Sequence, residues 1–185
     1  MNKSEQRHRA KEILKSLSDD YLVSADKKIT SAVLNSDWFR TSQNIFVYVS
    51  MEREPDTTAI IETALKAGKN VYVPKCVSNC EMLAVKLNGF DELFVGKKGI
   101  SEPKKTTDTI DVSQLSLAIV PCVAASYDGK RLGHGAGYYD RFLKNEKIKK
   151  MCLCYEKLIF DNICVTELDV RMDKIITEKT DGVTL

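Results

Sequence analysis

The chain has 185 residues, 43% hydrophobic and 29% charged, which is typical of a soluble globular protein and predicts one domain over residues 1–185. No stretch approaches the roughly 20 apolar residues of a membrane-spanning helix, so a membrane partner is not expected. The net charge of only +2 likewise predicts no nucleic-acid partner.

The N-terminal end predicts two helices. Apolar residues recur at helical spacing over residues 3–17, and Ser18 offers a capping oxygen before a second periodic run that ends near Asn35. The first residues are charged and lack the apolar segment of a secretory signal, which predicts a cytoplasmic protein.

The next segments predict a parallel crossover. Residues 45–49 form a short β-branched and aromatic run typical of a buried strand, and residues 70–74 form another. Between them, Asp56 can cap a helix over residues 57–67, and Gly68 follows where a left-handed residue ends a helix most easily. A strand, a helix and a strand within about 30 residues form a right-handed parallel unit, so the predicted fold class is α/β.

The remaining elements are predicted from shorter patterns. Strands are expected at residues 81–87, 115–120, 151–155 and 174–177, a helix at 139–144, and an irregular surface excursion at 89–105. We see no internal repeat and no interdomain linker.

The six cysteines stand mostly beside apolar residues, at positions 76, 80, 122, 152, 154 and 164. We interpret them as reduced, largely buried thiols, because a chain of this size needs no disulfides. The pairs Cys76/Cys80 and Cys152/Cys154 also allow a zinc interpretation, but they lack the usual ligand spacing on both arms. The structural interpretation is favoured.

The most informative segment follows the predicted strand at 115–120 and reads Arg131-Leu132-Gly133-His134-Gly135-Ala136-Gly137-Tyr138-Tyr139-Asp140. Ligands of open α/β sheets gather at this carboxyl edge of the strands, and alternate glycines let backbone amides approach a phosphate. Arg131 adds positive charge, and the Asp140 carboxylate could hold Mg²⁺. The alternative is a tight turn in which Arg131 and Asp140 are merely paired. The spacing matches neither the Rossmann nor the Walker phosphate motif, so the residues alone leave both interpretations open.

This segment, preceded by Val-Pro, closely resembles the signature of the 5-formyltetrahydrofolate cyclo-ligase family. Further motifs are similar to that family in the same order: Lys3-Ser4-Glu5-Gln6-Arg7, Ser50-Met51-Glu52-Arg53-Glu54, Val73-Pro74-Lys75, Glu102-Pro103 and Asp169-Val170-Arg171-Met172-Asp173. Two positions depart from the usual pattern, Cys122 and Ser126, so the backbone path into the site is expected to differ slightly.

The resemblance implies a Rossmann-like α/β domain with a mostly parallel sheet flanked by helices, similar to sugar-phosphate isomerases and CoA-transferases. It implies Mg²⁺ and ATP-dependent closure of 5-formyltetrahydrofolate to 5,10-methenyltetrahydrofolate, through a phosphorylated formyl (imino phosphate) intermediate. The expected partners are ATP and 5-formyltetrahydrofolate, including polyglutamylated forms, and the expected state is a monomer.

The resemblance also implies roles for residues. ATP contacts are expected from Lys3, Ser4, Glu5, Gln6, Arg7, Lys75, Arg131, Leu132, Gly133, His134, Gly135, Ala136, Gly137, Tyr138 and Tyr139. Folate contacts are expected from Val49, Met51, Glu54, His134, Gly135, Ala136, Gly137 and Tyr138. Asp140 and Asp169 would hold Mg²⁺ with Asp173 as a substitute or helper, and Arg131 and Tyr139 would be catalytic.

Simpler interpretations remain beside these. Lys3 and Arg7 lie one helical turn apart, as on any solvated helix face, and Val49 and Met51 are of types common in cores. The chain could instead be a sugar-phosphate isomerase, an acyl-CoA transferase, or a nucleotide- or folate-binding module without turnover, because fold does not fix function.

Overall fold

A computed structural model describes residues 1–78, 81–96 and 99–180, and in this part of the chain seven strands form one sheet. The strands of this sheet are β1 (Asn44–Val47), β2 (Asn70–Cys76), β3 (Met82–Leu87), β6 (Thr109–Ile110), β7 (Leu117–Val120), β10 (Lys149–Leu153) and β11 (Lys174–Ile176). Their order across the sheet is β11-β10-β7-β1-β2-β3-β6. Two separate hairpins are formed by β4 (Leu93–Val95) with β5 (Ser101–Pro103), and by β8 (Ala124–Ala125) with β9 (Arg131–Leu132).

The sheet is mostly parallel, as predicted. Its parallel pairs are β1 with β2, β1 with β7, β7 with β10, and β10 with β11. The pairs β2 with β3 and β3 with β6 are antiparallel, so the reversed strands occupy one edge. Strand β7 is buried at all four residues, which explains its continuous apolar sequence.

Helices flank the sheet. They are α1 (Lys3–Ser16), α2 (Asp19–Asn35), α3 (Asp37–Thr41), α4 (Thr58–Lys66) and α5 (Tyr138–Phe142). The two N-terminal helices and the crossover helix α4 are confirmed. Asp56 accepts hydrogen bonds from the backbone and the hydroxyl of Thr58, and Gly68 ends the α4 region with a φ of +70°. No helix in the described residues has both the length and the apolar character needed to cross a membrane.

Several element bounds differ from prediction. The strand expected at 45–49 ends at Val47, the one at 151–155 runs from Lys149 to Leu153, and α3 was not predicted. The excursion at 89–105, expected to be irregular, contains the β4–β5 hairpin, whose three-residue strands are too short to give an alternating pattern. The differences in the strands arise where pairing partners, and not local sequence, set the ends of a strand. The helix α3 has only five residues, too few to give a periodic pattern.

The thiols of the described residues are free, and Cys122, Cys152 and Cys154 are buried. Burial raises the pKa of the Cys152 thiol well above its usual value, which keeps it protonated and unreactive. Cys80, one partner in the zinc alternative, lies outside the described residues.

The turn after β1 is anchored to the end of α1 through Arg53. This residue has a left-handed φ of 64°, and its Nη2 donates to the carbonyl oxygens of Leu14 (2.8 Å) and Leu17 (2.6 Å). Carbonyls at a helix C-terminus lack partners within the helix and attract cations, so the guanidinium both satisfies them and fixes the turn. Glu54, the next residue, is held in place as a result.

The segment that carries Asp169 is anchored through Gly129. The backbone N–H of Met172 donates to the Gly129 carbonyl over 2.8 Å. Gly129 has a φ of +86°, and a Cβ built on it would lie 2.3 Å from the Met172 carbonyl oxygen. Only glycine permits this close approach.

We expect Gly129→Ala to lower the free energy of unfolding by about 1 to 3 kcal/mol more than Gly68→Ala does, because both introduce a side chain at positive φ but only the first adds a backbone clash. Gly68 is the matched control, since a Cβ there meets nothing within 4 Å. Urea unfolding measures both variants. Equal losses would show that the Gly129–Met172 approach places no constraint on the fold.

We expect Arg53→Met to lower the free energy of unfolding by about 2 kcal/mol, because two charge-assisted hydrogen bonds to helix carbonyls are lost while the apolar stem is kept. Arg40→Met is the control, since Arg40 pairs with an exposed Asp37 and its loss is expected to cost less than about 1 kcal/mol. Urea unfolding of the two variants tests the difference, and equal values would contradict the anchoring role.

Candidate functional site

A cavity of about 750 Å³ opens where the parallel strands β1, β2 and β7 end. Its walls include residues just after β1 and β7, namely Tyr48 and Pro121, as expected for the carboxyl edge of such a sheet. Residues from distant parts of the chain also meet there: Lys3, Arg7, Glu54, Arg131 and Asp169. The N-terminal helix, the Glu54 turn and the Asp169 segment therefore meet residues 131–140 at this cavity, as the roles implied by the family resemblance require.

The glycine-rich loop forms one wall of the cavity and touches α1. Arg7 Nε donates to the Gly133 carbonyl over 2.8 Å, and a Cβ on Gly135 would lie 3.6 Å from Arg7 Cζ. Gly135 and Gly137 have φ values of +112° and +71°, so other residues would be strained at both positions. The loop thus presents backbone beside a guanidinium. The helix that follows, α5, has only five residues, so its dipole adds little to the site.

Arg131 lies at the base of the cavity and is paired with Asp140. Its Nη2 donates to Asp140 Oδ1 over 2.7 Å, and its side chain is only 3% exposed. The Asp140 carboxylate also accepts the backbone N–H of Val170 at 3.2 Å, and the Arg131 guanidinium lies 5.7 Å from the centre of the Tyr139 ring. Arg131 Nε is buried without a hydrogen-bond partner. The pair expected by the tight-turn alternative exists, and it also borders the cavity.

Asp169 is paired with Lys3. Lys3 Nζ donates to both carboxylate oxygens, at 2.7 and 2.5 Å, and Thr166 donates to Oδ2 through its backbone and its hydroxyl. Burial raises the pKa of Asp169, but these donors outweigh burial and leave the pKa below its usual value. Asp169 is therefore an ionised carboxylate at the cavity wall.

The two carboxylates suit Mg²⁺ only with help from a ligand. Among the described residues, no three histidine, cysteine or acidic side chains come together as a metal-binding group. Mg²⁺ is commonly held by one or two carboxylates together with substrate phosphates and water, and Asp140 and Asp169 fit that donor set. Asp173 does not line the cavity and instead accepts the backbone N–H of Lys150 at 2.8 Å.

Glu54 and His134 form a further contact at the cavity wall. His134 Nε2 lies 3.2 Å from Glu54 Oε1, and Glu54 Oε2 accepts the backbone N–H of Met51 at 2.9 Å. Glu54 is only 10% exposed, whereas His134 is 51% exposed. Val49 and Met51 add apolar surface beside this carboxylate.

Some predicted contact residues lie outside the cavity lining. Glu5 forms a capping box with Asn2, and the buried Gln6 bonds to the backbone of residues 162 and 164. Ser4 and Lys75 do not line the cavity either, and Lys75 is paired with Glu102 at 2.7 Å. Roles for these residues in ATP binding stay predictions.

Two further residues border the site without a role predicted from sequence. Glu102 lines the cavity from the β4–β5 hairpin, and the Arg53 anchor sets the Glu54 turn. Both residues fall within the family motifs, but the spacing of those motifs does not indicate these contacts. Tyr139 also lines the cavity, and burial raises the pKa of its hydroxyl, so it remains a protonated donor.

Comparisons with known proteins place the chain in a family. Residues 1–178 match the 5-formyltetrahydrofolate cyclo-ligase family. A probable 5-formyltetrahydrofolate cyclo-ligase of Caenorhabditis elegans is 33% identical over 95% of this chain and 92% of its own length. The enzyme of that name from Escherichia coli K12 is 31% identical over 74% of this chain and 78% of its own length. The solved structure of Aquifex aeolicus 5,10-methenyltetrahydrofolate synthetase superposes with a TM-score of 0.84 at 29% identity, covering 100% of this chain and 96% of that one. The chain belongs to the 5-formyltetrahydrofolate cyclo-ligase family.

Proposed function

We propose that the cavity binds ATP and 5-formyltetrahydrofolate together and closes the folate to 5,10-methenyltetrahydrofolate, releasing ADP and phosphate. The observation that carries this proposal is the arrangement of one cavity: a cationic end with a glycine loop, and a second end with a buried carboxylate beside apolar side chains. The first end suits a polyphosphate and the second a pterin. Family membership supports both assignments.

The cationic end would hold the phosphates of ATP. Lys3, Arg7 and Arg131 all line it, and the backbone of the glycine loop lies against Arg7. Guanidinium groups match phosphate oxygens with paired donors, and backbone amides can approach closely where glycines leave no side chain.

Asp140 and Asp169 would hold Mg²⁺ against the phosphates. When bound, the ion would neutralise part of the charge on the triphosphate. Lys3 and Arg131, which now pair with these carboxylates, lie close enough to share the added negative charge. The protein's own part is to hold both carboxylates in position.

The carboxylate end would hold the folate. Glu54 can accept hydrogen bonds from adjacent ring N–H and amino groups of a pterin, because a carboxylate has two oxygens and about four acceptor sites. Val49, Met51 and Tyr138 supply the surface for its flat rings. The low exposure of Glu54 strengthens such bonds by excluding water.

The chemistry needs a better leaving group than a formyl oxygen. Transfer of the γ-phosphoryl group to that oxygen releases ADP and forms the imino phosphate. The neighbouring side-arm nitrogen then attacks the formyl carbon and loses its proton, and the C–O bond breaks to release phosphate. Positioning and charge neutralisation account for this reaction without an enzyme nucleophile, so Arg131 would stabilise the transferring group while Tyr139 orients it as a donor.

We further propose a cytoplasmic monomer that acts on small molecules, including polyglutamylated folates. The near-neutral net charge and the buried, free thiols support this setting. No observation favours an isomerase, a CoA transferase or a binding module over the cyclo-ligase reaction.

The purified protein is expected to convert 5-formyltetrahydrofolate to methenyltetrahydrofolate only when ATP is present, because the formyl oxygen leaves only after phosphorylation. The rise in product absorbance measures the rate, and ADP release should match it one to one. Conversion that continues unchanged without ATP would contradict the proposal. Tight binding of both ligands with no product would instead indicate a binding module.

Asp140→Asn is expected to reduce turnover by roughly tenfold to a hundredfold at limiting Mg²⁺, because it removes a charged ligand, and to lower the melting temperature, because it leaves the buried Arg131 without its ionic partner. Asp161→Asn is the control, since Asp161 is exposed and outside the cavity lining. Initial rates across a Mg²⁺ titration, with thermal melting of each variant, separate activity from folding. Wild-type rates for Asp140→Asn at every Mg²⁺ concentration would show that the metal assignment is wrong.

A further inference from the structure

The contact between His134 and Glu54 joins the two ends of the cavity. His134 belongs to the glycine loop assigned to ATP, and Glu54 is the carboxylate assigned to folate, 80 residues away in sequence. The two side chains meet at 3.2 Å without a ligand between them. The residue that would recognise the pterin is therefore already engaged by a residue of the nucleotide loop.

Both oxygens of Glu54 have partners in this arrangement. Oε2 accepts the Met51 backbone N–H, and Oε1 is approached by His134 Nε2. An ionised carboxylate can only accept hydrogen bonds, so His134 Nε2 is the donor to an ionised Glu54. The Met51 bond is part of the turn and is maintained by it. A ligand that needs Oε1 must therefore displace His134.

His134 can be displaced at little cost to the fold. Its side chain is 51% exposed, and it stands between Gly133 and Gly135 in a loop whose backbone is held from behind by Arg7. Glu54, by contrast, is 10% exposed and fixed by its turn. The histidine is the mobile partner of this pair, and the carboxylate is the stationary one.

Several charged and titratable side chains lie near this contact. Glu54, from the turn after β1, contacts His134 directly, and the loop backbone around His134 accepts hydrogen bonds from Arg7 of α1 and from Nη2 of Arg141 of α5. Tyr138 of α5 lines the same cavity. Arginine keeps its charge at every physiological pH, and tyrosine is neutral there. Histidine alone among these residue types ordinarily gains a proton between pH 8 and pH 5. A protonated donor forms the stronger bond to a carboxylate.

We propose that His134 competes with the pterin of folate for Glu54, and that protonation of His134 makes folate binding weaker as pH falls. The inference rests on the proposed function, because it takes Glu54 as the pterin-binding carboxylate. Its consequence is that acidification lowers folate affinity in this chain through one side chain, without unfolding the site.

The test compares folate affinity at two pH values in three proteins. The chain has two histidines, so His8→Gln is a matched control for His134→Gln: His8 lies on the exposed face of α1 and pairs with Glu12. Binding of 5-formyltetrahydrofolate without ATP is measured by titration calorimetry at pH 8.0 and pH 5.5, which keeps phosphate ionisation out of the comparison. Affinity is expected to fall about fivefold from pH 8.0 to pH 5.5 in the wild type and in His8→Gln, but to stay constant in His134→Gln.

Two results would overturn the proposal. One is a wild-type affinity that is the same at both pH values; the other is a His134→Gln variant that keeps the wild-type fall. Neither result bears on whether the wild-type protein forms the methenyl product, which separates them from a failure of the proposed function. That failure would appear as a protein that neither binds 5-formyltetrahydrofolate at pH 8.0 nor forms the methenyl product.

A second measurement does not depend on the folding of His134→Gln. In a proton NMR spectrum of the wild type, two sets of imidazole ring signals are expected, and the set retained in His8→Gln belongs to His134. At pH 6, saturating 5-formyltetrahydrofolate should shift the His134 set and leave the His8 set in place. A His134 set that does not move while the calorimeter records binding would contradict displacement.

Discussion

The ion pair between Arg131 and Asp140 holds the site together. Arg131 is almost fully buried beside Pro121 at the end of β7, and Asp140 in α5 reaches across to the backbone of Val170. Four parts of the chain are thus joined through two side chains. Removing one partner of a buried pair leaves an uncompensated charge, which is strongly destabilising, so neither residue can change without loosening the cavity. A buried ion pair gains little net stability, because removing two charges from water costs free energy. Its place at the cavity wall makes it part of the binding site as well.

The rest of the site is assembled from both ends of the chain. Lys3 of α1 binds Asp169 near the C-terminal end, and Arg7 binds the glycine loop. Each contact spans more than 120 residues, so the cavity forms only when α1 and the last segment are both in place. The three cations Lys3, Arg7 and Arg131 face two carboxylates, which leaves an excess of positive charge at this end before a ligand arrives. This excess favours a polyanion.

Much of the fold could be predicted from local sequence, because the buried strands and the N-terminal helices carry continuous apolar patterns. Asp56 and Gly68 also mark the α4 crossover through chemistry that acts within a few residues. The site could be predicted only in part. Glycines and charges at residues 131–140 indicated an anion site, but nothing in their spacing showed that Lys3 and Glu54 would meet them, and the family motifs were needed for that. The Arg53 anchor could not be predicted, since its partners are backbone carbonyls of α1, and backbone groups leave no mark on sequence.

The site therefore combines a rigid part and an adjustable part. The Arg131–Asp140 pair, Lys3 with Asp169, and the Glu54 turn are each fixed by two or more contacts with different parts of the chain. His134 is exposed, stands between two glycines, and makes its contact with Glu54 through the side chain alone. Because its loop backbone is secured by Arg7, the imidazole can leave Glu54 while the surrounding carboxylates and cations keep their positions. An enzyme that must hold two anionic substrates in fixed geometry, yet admit them to its cavity, needs both residues that stay in place and a side chain that can move.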